Sequence, residues 1–110
     1  MNLKLIIALV NDTFTDRVLD AARQAGATGS TVINNARGKG RRHRKTFFGL
    51  ELDAQCDVLL FVVEEKLSKK VLDAINDSGC FETQSGSGMA FQLSVEDARG
   101  LDEQLKAMQS

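Results

Sequence analysis

A chain of 110 residues fits one domain and leaves little room for a second, and at 43% hydrophobic and 26% charged it has the composition of a globular domain, not of a disordered chain. The formal net charge of −1 conceals a separation: residues 37–45 carry six basic side chains (Arg37, Lys39, Arg41, Arg42, Arg44, Lys45) and no acid, which leaves 8 basic against 15 acidic residues elsewhere. The apolar run at residues 3–10 is too short to cross a bilayer and is followed by Asn11 and Asp12, not by a small-residue cleavage site, so the expected location is the cytoplasm.

That run, rich in branched residues and sharply bounded, predicts a first buried strand. Thr13-Phe14-Thr15-Asp16 has the spacing of a capping box, and Phe14, Val18, Ala21, Ala22 and Ala25 recur at helical intervals, which predicts a helix over 13–25 that stops at Gly26. Gly29 opens a second strand over 30–35, ahead of the basic loop. A third strand is expected over 58–63, apolar throughout. The following face of Leu67, Val71, Ala74 and Ile75, with Glu65 and Lys69 spaced to pair, predicts a helix ending at Gly79. Gln84-Ser85-Gly86-Ser87-Gly88 reads as a turn into a fourth strand over 89–93. Ser94-Val95-Glu96-Asp97 is a second capping box, and Val95, Ala98, Leu101, Leu105 and Met108 predict a final helix bent at Gly100.

The order β-α-β-β-α-β plus a C-terminal helix is that of an α+β, ferredoxin-like domain spanning 1–110, whose first and third strands lie centrally. Those are the two strands without polar alternation. Two helices cover one sheet face, so the other is expected to pack against further copies of the chain, with a C-terminal helix folded back over it as the alternative.

Groups that carry chemistry are few. Cys56 and Cys80 have only His43 to join them, so neither a metal site nor a disulfide framework is expected, and no nucleophile and base stand paired in the sequence. Gly38-Lys39-Gly40-Arg41-Arg42 lacks the spacing of a Walker loop, and Gly86-Ser87-Gly88 lacks the third glycine of a dinucleotide fingerprint. Taken together, however, two glycine-rich segments on this topology can meet across a subunit boundary. Their N–H groups and the guanidinium groups of Arg41 and Arg42 suit an anion such as phosphate.

Gly29-Ser30-Thr31-Val32, then Gly38-Lys39-Gly40-Arg41, then the stretch from Thr83 to Gly88 leading into Phe91, and finally Val95-Glu96-Asp97-Ala98, resemble in order and spacing the landmarks of PII-like signalling proteins, a nitrogen regulatory superfamily. The resemblance implies a homotrimer without catalysis. It would bind an adenine nucleotide (ADP, AMP or ATP) in clefts between subunits and control a membrane transporter or regulated enzyme through a flexible loop, here about 41–55. Ligand contacts are then expected from Thr31, Gly38, Gly40, Arg41, Arg42, Thr83, Gly86, Ser87 and Gly88, and partner contacts from Arg44, Lys45, Phe47 and Phe48.

Three departures mark a divergent member. Arg42 replaces a glutamine, Met89 replaces a lysine, and Gly100 stands where the first of two phosphate-holding arginines is found, with only Arg99 nearby. They imply a preference for ADP or AMP over ATP, and a loop without tyrosine excludes uridylylation there. The competing reading is a nucleic-acid-binding module that uses residues 37–45 on phosphates and Phe47 and Phe48 on bases. The acidic remainder of the chain opposes it, because a dedicated binder spreads its basic residues over a face of the fold, and no specific nucleic acid is expected as a partner.

Overall fold

The computed structural model describes residues 2–34, 45–47, 50–52, 56–83, 88–103 and 106, with the backbone alone for 45–47 and 50–52. Among the described residues, six strands and two α-helices follow one another as β1 (Leu3–Asn11), α1 (Thr15–Gln24), β2 (Thr31–Asn34), β3 (Lys45–Phe47), β4 (Leu50–Leu52), β5 (Cys56–Glu64), α2 (Glu65–Gly79) and β6 (Gly88–Val95). Four strands form an antiparallel sheet in the order β2-β5-β1-β6, which is the ferredoxin-like arrangement with the two strands that are apolar on both faces at its centre. β3 and β4 form a separate two-stranded sheet, Lys45 opposite Leu52 and Phe47 opposite Leu50. Regular pairing inside the predicted loop 41–55 was not legible from its sequence, because its three-residue strands are too short to show periodicity.

The period-2 geometry of a strand sorts each central strand into two faces. Ile6, Ala8 and Val10 of β1 and Leu59, Phe61 and Val63 of β5 are buried beneath the helices, where they meet Val18 and Ala22 of α1 and Val71 and Ile75 of α2. Ile75 is fully enclosed. Ile75→Ala is therefore expected to cost about 2–5 kcal/mol of stability, read as a shift of the urea midpoint at constant m-value.

The opposite face has no such cover. Register places Met89, Leu9, Val58 and Ile33 in one row across the sheet, Phe91, Ile7, Leu60 and Thr31 in the next, and Leu93, Leu5 and Val62 in a third. Leu93 is 49% and Ile33 50% exposed. The fold-back alternative receives no support among the described residues, since the C-terminal segment lines a groove with Leu3 and Val95 at one end of the sheet and leaves these rows open.

Local signals correct several sequence expectations. The first helical turn begins one step earlier than the capping box suggested: Asn11 Oδ1 accepts from the backbone N–H of Thr13 at 2.9 Å and from its hydroxyl at 2.8 Å, so a short 3-10 turn over Asp12–Phe14 precedes α1. α2 does end at Gly79, as expected, and Cys80 follows in the left-handed conformation at φ 57°. Gly79 itself is needed because a Cβ there would collide with the Phe81 ring. Glu65 turns to β1, accepting from Asn2 Nδ2 at 3.3 Å and lying 3.6 Å from Lys4 Nζ, in place of the expected pairing with Lys69. The second capping box does not start a helix. Val95 ends β6, residues 96–98 are irregular, and helical backbone appears only from Asp102. The pairing of Leu3 with Val95 carries the strand through the box and outweighs its local helix signal.

Candidate ligand-binding site

All the connections that carry the candidate residues leave the sheet at one end. A single row of register runs across it there: Gly88 of β6, Val10 of β1, Asp57 of β5 and Asn34 of β2. Asn34 is the last residue of β2 before the basic loop, Asp57 is the second residue of β5 after it, and Gly88 closes the glycine-rich turn. Gly88 is buried at φ 154°, and a Cβ at that position would run into the Leu9 carbonyl oxygen and the Phe81 ring. Its role is thus first a steric one. It lets the start of β6 lie tight against β1.

Thr31 lies exposed on β2 opposite Leu60, on the open sheet face. Thr83 is exposed beyond α2, where its N–H donates to the Cys80 carbonyl at 3.2 Å and its hydroxyl lies 3.4 Å from the same oxygen. Thr31 and Gly88 sit on the two edge strands, with β5 and β1 between them, so about 14 Å of sheet separates them at ordinary strand spacing. One chain does not gather the residues of its two edges around one small ligand. Gly38, Gly40, Arg41, Arg42, Arg44, Phe48, Gly86 and Ser87 lie outside the described residues, and Lys45 and Phe47 are placed by backbone alone.

Of the departures, Met89 is half-buried opposite Leu9 on the open face, so an apolar side chain sits in an apolar row. Gly100 adopts φ 80° with open space around it, and the Arg99 guanidinium donates to the Ala98 carbonyl at 2.9 Å. Beside β2, Arg23, Thr28, Gly29 and Ser30 line a groove of about 240 Å³ that reaches down to Phe61. Arg23 also donates to Asp20, one turn earlier on α1, at 2.8 Å.

Sequence reasoning missed one buried polar pair in this region. Asp57, 8% exposed, accepts from the Thr15 hydroxyl at 2.7 Å. The only signal was a lone acid at the head of an otherwise apolar strand. Among the described residues no cluster of three or more metal-ligating side chains forms, and no helix is long and apolar enough to cross a membrane.

This sheet order defines a ferredoxin-like chain. The chain belongs to the nitrogen regulatory protein P-II family, whose model matches residues 3–103. No curated protein matches it. Among solved structures it is similar to CPII, a nitrogen regulatory PII-like protein from Thiomonas intermedia K12 bound to ADP, AMP and bicarbonate, with TM-score 0.65 and 21% identity over 91% of this chain and 97% of that one. The apo form of CPII gives 0.64 and 22% over 91% and 96%. A protein from Thermus thermophilus, described as PII-like and signalling, gives 0.60 and 20% over 86% and 87%. None of these similarities supports the nucleic-acid reading.

Proposed function

We propose that the chain is a PII-like regulator without catalysis, assembled as a cytoplasmic homotrimer, that binds an adenine nucleotide in clefts shared between neighbouring chains. The observation that carries this reading is the open sheet face, apolar across all four strands, with Thr31 at one edge and the Gly88 turn at the other. Covering that face with further copies removes the apolar rows from water and joins opposite edges of different sheets, which completes what one chain leaves apart. The ADP and AMP bound by CPII support the ligand class. The apolar Met89 row and the missing cation at Gly100 favour AMP and ADP over ATP, whose additional phosphate needs additional positive charge.

The basic loop then serves as the element that touches a partner protein, a transporter or regulated enzyme, through Arg44, Lys45, Phe47 and Phe48. Six cations within nine residues suit an acidic surface.

Calorimetric titration of the purified chain with AMP, ADP and ATP tests the reading. The expected result is one nucleotide per chain, with AMP or ADP tighter than ATP. Absence of binding by all three would refute it. Arg41→Ala is expected to weaken nucleotide binding by roughly 1.5–3 kcal/mol, about 10- to 150-fold, as loss of one charge-assisted contact. Unchanged affinity in that variant would assign Arg41 to the partner-facing loop alone.

A further inference from the structure

The buried Thr15–Asp57 pair has no part in the function proposed so far, yet a carboxylate with little exposure is retained in a fold only where its surroundings hold it. Its position says what it holds. Asp57 lies in the single register row that contains the last residue of β2, Asn34, and the residue that closes the glycine-rich turn, Gly88. The Thr15 hydroxyl fastens that row to the first residue of α1, 42 positions earlier in the chain, with a 2.7 Å bond. The row is thus pinned from the helix layer at the point where both candidate ligand segments leave the sheet.

We infer that Thr15 and Asp57 act as a positioning pair: the hydroxyl fixes the carboxylate, the carboxylate fixes the head of β5 against β2 and β1, and the placement of the two strand ends beside the candidate ligand segments, Asn34 and Gly88, follows. The part of this inference that concerns nucleotide rests on the function proposed above. The part that concerns the sheet does not.

Neither residue touches the ligand, so the effect travels through geometry alone. Thr15→Val keeps the shape and removes the donor, whereas Thr15→Ser keeps the donor and removes a methyl group. Hydrogen exchange on the free protein reads the first part. Thr15→Val is expected to speed exchange in segments 31–34 and 56–59 at least tenfold while leaving 62–65 and 93–95, at the far end of the sheet, unchanged. Thr15→Ser is expected to restore slow exchange. Acceleration of both ends alike would mark a general loss of stability and overturn the inference, and so would no acceleration at all.

Calorimetry with AMP, well below the unfolding temperature, reads the second part. Thr15→Val is expected to lose about tenfold in affinity and Thr15→Ser to recover it. Wild-type affinity in Thr15→Val overturns the positioning role. A wild-type protein that binds no adenine nucleotide refutes the proposed function and the nucleotide half of this inference, and leaves the exchange experiment to decide the role at the loop root.

Discussion

Leu60→Asp is expected to break the assembly into single chains of 12.0 kDa that retain their helical signal. Leu60 stands in the central row of the open face, between Ile7 and Thr31, and its side chain points away from the helices. In a single chain the new carboxylate would remain in contact with water, so the helix-side core of Ile6, Leu59, Phe61 and Ile75 keeps its packing. In an assembly that closes over this face the same carboxylate is removed from water without a partner, which costs on the order of 3 kcal/mol or more per chain. The loss is repeated in every subunit, so association fails at micromolar concentration. Circular dichroism separates this outcome from unfolding. Because the proposed site is shared between chains, AMP binding is expected to disappear with the assembly. A Leu60→Asp protein that keeps the mass of the wild type would show that the open face is not the contact surface.

Gly88→Ala is expected to cost about 3 kcal/mol, a drop in melting temperature on the order of 10 °C or more. The added methyl group meets the Leu9 carbonyl oxygen, which belongs to a central strand and cannot move aside, and it also meets the Phe81 ring that packs over Gly79. The backbone at φ 154° adds strain for any residue with a Cβ. A glycine that forms only a loose turn would tolerate alanine with little effect. Gly29, whose added Cβ would meet nothing, supplies the control: Gly29→Ala is expected to leave the melting temperature within about 2 °C of the wild type.

The fold was legible because its two decisive strands are unlike the rest. Residues 3–10 and 58–63 carry apolar side chains on both faces, and only a central pair with cover on both sides accounts for that pattern. The split β-α-β order then left one arrangement for the sheet, and the register confirms it. Local capping signals were less dependable. Thr13 and Ser94 both begin a capping-box spacing, but Asn11 takes the first cap and the pairing of β6 with β1 absorbs the second. The end of α2 at Gly79 was legible, although what the glycine does there was not: its lack of a side chain makes room for Phe81, and Cys80 takes the left-handed position.

The candidate site was legible only as segments. The family resemblance pointed to Thr31 and Gly88, and the expected topology, with the first and third strands central, already put their strands at the two edges of the sheet. The Thr15–Asp57 bond escaped notice because its partners are 42 residues apart in the chain.

Assembly through the open sheet face underlies both the shared cleft and the nucleotide site, and light scattering on the purified protein at micromolar concentration tests it most directly. The predicted result is a particle of three times the 12.0 kDa chain mass, unchanged on dilution to about 1 μM. A stable particle of one chain mass would leave the apolar rows exposed, remove the cleft between subunits, and contradict the proposed function.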